Sequence, residues 1–294
     1  MTPSLFLRVA PALFVLLWST GWLAARAAMP YAEPLTFLTL RYVCAAIALA
    51  AICAVMSVQW PRDRRTIGHA LISGVPLHAM YFAGVWWSVM HGLPVAISGL
   101  ISALQPILTA LLAPYLVGEK ITRAQWLGVM LGFAGIAMVL SPALAALPPG
   151  KLDAVLTPLA VNVIGMVGAT LGTFYSKRFV TSGDLRVVTV LQNIGAAIVT
   201  LPLAFVTETM HVTWNLQVVL TLAWVVFGMS IGAVGLLLML IRQGAVSRAA
   251  ALIYLMPPLV ALQAVFILDE SLTALQMTGM AVTATGVALA VRKG

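Results

Sequence analysis

Charge is scarce in this chain. Of its 294 residues only 8% are Asp, Glu, Lys or Arg, against roughly a quarter in soluble domains. Such a composition has no polar shell to turn toward water. Cysteine is nearly absent as well: Cys44 and Cys53 are the only two. They share one apolar run, nine residues and so about 13 Å apart along a helix axis, on different faces. They do not pair within that helix, and metal-ligand spacing is missing. There is no His-Glu-x-x-His, no Gly-x-Ser-x-Gly elbow, no aspartate pair inside an apolar run and no phosphate-binding glycine loop. An intramembrane enzyme, the rival from another class, is therefore disfavoured, and no metal or cofactor is expected.

What is abundant is apolar sequence: 62% of the residues are hydrophobic and mean hydropathy is +1.06. The apolar residues come in runs of about 20, each long enough to span a bilayer as a helix. Runs fall at 9–29, 34–57, 66–90, 94–116, 123–141, 153–176, 186–207, 216–241, 246–268 and 272–291. The expected fold is all-α and membrane-embedded, with ten transmembrane helices. The first run follows Arg8 like a secretory signal, but it is too long, carries Trp18, Trp22 and Arg26, and lacks a small-residue cleavage site. The net charge of +8 does not imply nucleic acid, because the basic residues are scattered between runs and form no stripe. With a cytoplasmic N-terminus, nearly all of them fall at the inner face: Arg8, Arg62, Arg64, Arg65, Lys120, Arg123, Lys177, Arg178, Arg186, Arg242, Arg248, Arg292 and Lys293. Arg26 and Lys151 sit outside. This positive-inside pattern predicts both termini in the cytoplasm and a multi-pass protein of the cell inner membrane.

A repeat runs through the chain at one ungapped offset of 151, the difference 270 − 119 between Glu119 and Glu270. It pairs Gly21/Gly172, Ala45/Ala196, Ile47/Ile198, Gly84/Gly235, Pro106/Pro257, Thr122/Thr273, Gln125/Gln276, Gly128/Gly279 and Gly135/Gly286. Apolar matches alone would arise by chance in a small alphabet; polar, glycine and proline matches in one register do not. The first half is 1–147 and the second 148–294. Each holds five runs, so the second half enters the bilayer from the opposite side. Inverted repeats of this kind suit alternating access around a site between the halves.

The Gln105–Pro106 step, the knot Val117-Gly118-Glu119-Lys120-Ile121-Thr122 and the Gly128/Gly135 helix, with Pro257, Leu268-Asp269-Glu270-Ser271-Leu272-Thr273 and Gly279/Gly286 as counterparts, resemble the drug/metabolite transporter superfamily, specifically its EamA-type ten-helix carriers. Within it the chain looks most like the exporters of aromatic and other neutral amino acids. The resemblance implies a small-molecule substrate, the lipid bilayer as partner, and a central cavity lined by helices 1, 3, 4, 6, 8 and 9.

Candidate binding residues follow from side-chain chemistry on the apolar runs. The third run sets His78, Phe82 and Trp86 four residues apart beside Tyr81, a face that suits an aromatic cargo or, equally, ordinary packing. Trp18 lies deep on the first run, whereas Trp22 reads as an interfacial anchor. The fourth run aligns Ser98, Ser102 and Gln105 before Pro106, and the ninth places Tyr254 before Pro257. Each proline frees a backbone carbonyl and marks a hinge. Asn162 adds a hydrogen-bonding group on the sixth run. These groups suit the two ends of a zwitterion, or they join helices. All eight carboxylates (Glu33, Asp63, Glu119, Asp153, Asp184, Glu208, Asp269 and Glu270) fall at run ends or loops. Proton coupling and cationic-drug binding usually need a buried acid. The expectation is uncoupled, facilitated export of small amphipathic metabolites, with a proton-coupled drug or metabolite exporter as the alternative and His78 as its one titrating group. Arg41, inside the second run, either meets an anion or snorkels toward Glu33; the latter is preferred here.

Overall fold

The computed structural model describes residues 3–102, 104–117, 122–145, 153–236, 239, 256–269 and 271–290. Helices fill them: α1 Pro3–Ser19, α2 Gly21–Ala28, α3 Pro34–Val55, α4 Arg64–Gly74, α5 Tyr81–Met90, α6 Val95–Ser102, α7 Gln105–Val117, α8 Arg123–Ala145, α9 Asp153–Phe179, α10 Leu185–Thr207, α11 Leu216–Ala223, α12 Met256–Leu268 and α13 Ala274–Ala290. Two π-helical segments, Val75–Met80 and Trp224–Ala233, join α4 to α5 and continue α11. Among the described residues, five helical stretches are long and apolar enough to cross a membrane: Pro34–Val55, Arg123–Pro142, Ala154–Phe179, Leu185–Thr207 and Leu216–Leu236.

The first, third and fourth runs are helical but broken, which the hydropathy pattern did not reveal. At the α1/α2 break, the hydroxyls of Ser19 and Thr20 donate to the carbonyls of Leu16 and Leu17 at 2.9 and 2.6 Å, competing with the backbone for the same acceptors. The fourth run breaks between α6 and α7, immediately before Gln105–Pro106. Pro106 lies in the first turn of α7, where the missing N–H costs nothing. Helix starts elsewhere carry caps. Asp63 accepts from the amides of Arg65 and Thr66, Asp184 from Arg186 and Asn215 from Val218.

The structure obeys the offset of 151. Shifted by it, α3 (34–55) becomes 185–206, against α10 at 185–207, and α7 (105–117) becomes α12 (256–268). The first π segment (75–80) falls inside the second as 226–231. Reciprocal capping boxes open α8 and α13. Thr122 N–H donates to Gln125 Oε1 at 2.8 Å and Gln125 N–H to Thr122 Oγ1 at 3.3 Å. Thr273 and Gln276 repeat the pair at 2.9 and 3.2 Å. Thr122 and Thr273 thus carry the capping role; Glu119 and Glu270 lie outside the described residues.

Packing repeats too. A Cβ on Gly135 would meet Thr283 and, at 2.5 Å, the carbonyl of Gly279; one on Gly286 would meet Gly132 N at 2.5 Å and Gly128 O at 2.6 Å. Under the offset these contacts are one contact seen from both sides. Such reciprocity is isologous, the mark of a two-fold relation. Ala45 and Ala196 are both buried, while their neighbours Ile47 and Ile198 both face outward, which a bilayer accommodates and water does not. The halves also clasp each other through loops. Glu208 accepts from the amides of Leu35 and Thr36, both at 2.8 Å, Thr209 donates to Glu33 at 2.9 Å, and Ala32 bridges Val212.

Candidate functional site

The first π segment carries His78 into the middle of the bundle, where its carbonyl accepts from the Tyr42 hydroxyl at 2.9 Å. A π turn holds one residue more than an α turn, which shifts the face that follows. His78 and Phe82 stack with ring planes 2° apart and centroids 6.2 Å apart. Tyr81 meets Phe82 edge-on at 4.9 Å. Trp86 stacks on Phe37 of α3 at 4.9 Å. The predicted aromatic face of the third run is therefore real, and Tyr81, Phe82, Val85 and Trp86 line a small chamber with Trp18, Gly21, Trp22 and Met229. The chamber is shut: its free volume is about 10 Å³, room for roughly one water.

Trp22 is not an interfacial anchor. It is buried, because α2 restarts after the break at Thr20 and turns the indole inward with Trp18. Arg41 does not snorkel either. It is 5% exposed, its guanidinium carbon lies 4.2 Å above the Phe82 ring, and it joins no ion pair with Glu33. Phe82 provides the cation with a π face inside the bundle, so the side chain need not climb out.

A polar ladder flanks the chamber. Asn162 Nδ2 donates to Ser98 Oγ at 2.6 Å, Ser102 donates to the Ser98 carbonyl at 3.1 Å, and Tyr81 lies beside Ser102. Gln105 stands apart, donating to Thr173 at 3.4 Å on an exposed edge. Tyr254 lies outside the described residues, as do the side chains of Pro106 and Pro257. The pattern of single polar residues in apolar runs understated three others. Gln263 of α12 donates to Ser19 at 2.9 Å, Gln192 of α10 donates to Ser73 at 3.1 Å and lies beside His78, and Arg41 is described above. Each had one visible signal, a lone amide or charge inside an apolar run.

Five buried polar atoms have no hydrogen-bond partner among the described residues: Trp22 Nε1, Arg41 Nε, His78 Nε2, Asn162 Oδ1 and Gln263 Oε1. Buried polar groups in native folds are ordinarily paired, so each of these atoms calls for a partner. Two larger hollows lack this character. One of about 230 Å³ between α6, α7, α8 and α9 is lined wholly by apolar residues such as Leu104, Phe133 and Met166. Another, about 600 Å³, opens to solvent between the loops at Met56–Asp63 and Ser182–Arg186.

The family model of the EamA-like transporters matches the chain twice, over residues 9–141 and 157–292. The chain belongs to the EamA-like transporter family. It is a multi-pass membrane transporter of two repeats, as the sequence resemblance implied. Similar proteins include the "Uncharacterized transporter YvbV" of Bacillus subtilis (strain 168), 25% identical over 280 residues that cover 95% of this chain and 89% of that one. Another is the "Probable amino-acid metabolite efflux pump" of Escherichia coli (strain K12), 23% identical over 93% of this chain and 91% of that one. A solved crystal structure at 19% identity superposes with a TM-score of 0.66 over 96% of both chains, which shows a shared fold. This EamA-like chain thus joins a duplicated scaffold to a closed aromatic chamber that belongs mostly to its first half.

Proposed function

We propose that this EamA-like transporter exports small amphipathic metabolites, foremost aromatic and other neutral amino acids. In this reading it crosses the cell inner membrane ten times with both termini cytoplasmic, and its two inverted halves rock around the aromatic chamber. The observation that carries the cargo is a mixture of buried polar atoms without partners among the described residues: Trp22 on the chamber wall, Arg41 over the Phe82 ring, and Asn162 and Gln263 bonded to Ser98 and Ser19. Trp22 Nε1 and Arg41 Nε are donors, and Asn162 Oδ1 and Gln263 Oε1 are acceptors. A zwitterion offers an acceptor at one end and a donor at the other, and an aromatic side chain matches Trp18, Tyr81, Phe82 and Trp86. The name of the Escherichia coli relative, a probable amino-acid metabolite efflux pump, agrees with this choice. Ser98 and Ser102 hold Asn162 and Tyr81 in place. Pro106 and Pro257 are the hinges at which helix segments tilt, and Gln105 and Tyr254 stand next to them in sequence.

Transport is read as downhill and uncoupled, because no carboxylate is buried among the described residues. One observation favours a second reading: His78 is half-buried, with its buried Nε2 unpaired among the described residues, which suits a proton carrier. Flux of labelled phenylalanine and leucine through proteoliposomes of the purified protein, with and without an imposed pH gradient, separates the two. Downhill flux indifferent to the gradient is expected. Uphill flux driven by protons would replace the facilitator with the coupled carrier, and no amino-acid flux at all would remove the cargo.

A further inference from the structure

The buried cation of the second run has no role in the fold that requires its charge. Arg41 is buried, its Nε is unpaired, and it takes part in no ion pair among the described residues. A guanidinium stays protonated in any protein environment. In a bilayer-spanning helix such a charge ordinarily pairs with an acid, with backbone carbonyls or with a ligand. The contacts that Arg41 does make are with rings: its guanidinium carbon rests 4.2 Å from the centroid of Phe82 and 6.0 Å from that of Tyr42.

The internal repeat supplies an independent comparison. Offset by 151, Arg41 corresponds to Gln192. The helices bearing them, α3 and α10, pack against each other. Gln192 is also buried and bonds Ser73, so this position packs with a neutral amide in the second half. Charge in the first half is surplus to packing.

We infer that Arg41 is the receptor for the carboxylate of the cargo. Its planar fork matches the two oxygens of a carboxylate. Phe82, over which it lies, lines the chamber with Trp22, whose indole N–H has no partner among the described residues. The inference rests on the proposed amino-acid cargo and narrows it: the chamber selects molecules with a carboxylate and rejects aromatic amines that lack one. An amine-only drug would bring a second positive charge beside Arg41.

The test is equilibrium binding to the purified full chain in detergent, read by quenching of tryptophan fluorescence, with L-phenylalanine, 3-phenylpropionate and phenethylamine as probes. The unaltered protein is expected to bind the two carboxylates at least tenfold more tightly than phenethylamine. Arg41→Gln, which installs the residue of the second half, is expected to erase that preference while leaving the melting temperature within a few degrees. Arg41→Lys should keep the preference and lose affinity. Equal weakening of all three probes by Arg41→Gln, or no preference in the unaltered protein, would overturn the inference. If Arg41→Gln fails to fold, Arg41→Lys decides: loss of preference with charge retained overturns it. Phenylpropionate separates this outcome from failure of the cargo assignment. A protein that selects phenylpropionate through Arg41 but moves no amino acid retains the carboxylate receptor and loses the amino-acid reading.

Discussion

Across the seam between α8 and α13, Gly135 approaches Gly279 and Thr283, and Gly286 returns the same approach on Gly128 and Gly132. Around the chamber, the offset of 151 instead carries His78 onto Met229, Tyr81 onto Gly232, Phe82 onto Ala233 and Arg41 onto Gln192. The seam keeps the repeat and the chamber discards it. The physical reason lies in what each region touches. A helix packed against its own counterpart across a two-fold needs the same small residue at the same place in both halves. A zwitterion with unlike ends has no two-fold, so the groups that meet it need not match.

The largest effect expected from this comparison is at the seam. Gly135→Ala and Gly286→Ala each drive a methyl into backbone about 2.5 Å away, which neither helix relieves without separating. Each is expected to cost about 3 kcal/mol or more, and the two should lower the melting temperature in detergent by similar amounts. Clearly unequal losses would break the two-fold picture. Gly84 and Gly235 sharpen it from the other side. They match in sequence, yet a Cβ on Gly84 would meet Gly165 at 2.9 Å whereas one on Gly235 meets nothing within 4 Å among the described residues. Alanine should be costly at the first and near neutral at the second.

In the chamber the expectation is asymmetry. His78→Ala should reduce amino-acid flux about tenfold, equivalent to roughly 1.4 kcal/mol in the barrier, while Met229→Ala, its counterpart and the second half's residue on the chamber wall, should lower flux only two- to threefold. Proteoliposome flux corrected for the amount of folded protein measures both, and equal losses would mean that the second half contributes to the site as the first does.

Smaller and symmetric effects belong to the capping boxes. Thr122→Val and Thr273→Val each remove one hydroxyl acceptor from the first turn of their helix and should each cost about 1 kcal/mol, read as paired shifts in thermal unfolding. The smallest effect is in acid. Amide donors from Thr66 and Arg65 hold the exposed Asp63 carboxyl below its ordinary value. A carboxylate with a lowered folded pKa stabilises above the unfolded value and loses that stabilisation as pH falls through the folded one. Asp63→Asn should therefore make stability slightly less sensitive to pH below about 4, whereas Asn215, the amide that caps α11, titrates nowhere in that range.

Much of the scaffold was legible before any coordinate. The constant offset survives as matched helix limits, matched caps and matched glycine contacts, because helix ends are set by short-range groups such as Thr122 with Gln125. The site was legible in part. Spacing of four placed His78, Phe82 and Trp86 on one face, but Trp22 and Arg41 were assigned to the membrane surface by their distance from the run ends. That distance misled, since a break at Thr20 redirects the indole and a ring face at Phe82 accommodates the guanidinium. Gln105 lies apart from the others for a related reason: helix α7 restarts at it and its amide donates to Thr173.

By itself the sequence determined the solvent, the repeat and the near absence of acid, because hydropathy, ungapped periodicity and residue type need no knowledge of neighbours. Only the tertiary structure decided which polar atoms remain unpaired. Whether Ser98 finds Asn162, or Arg41 finds an anion or a ring, depends on side chains brought together from different helices, and no spacing along one helix encodes that meeting.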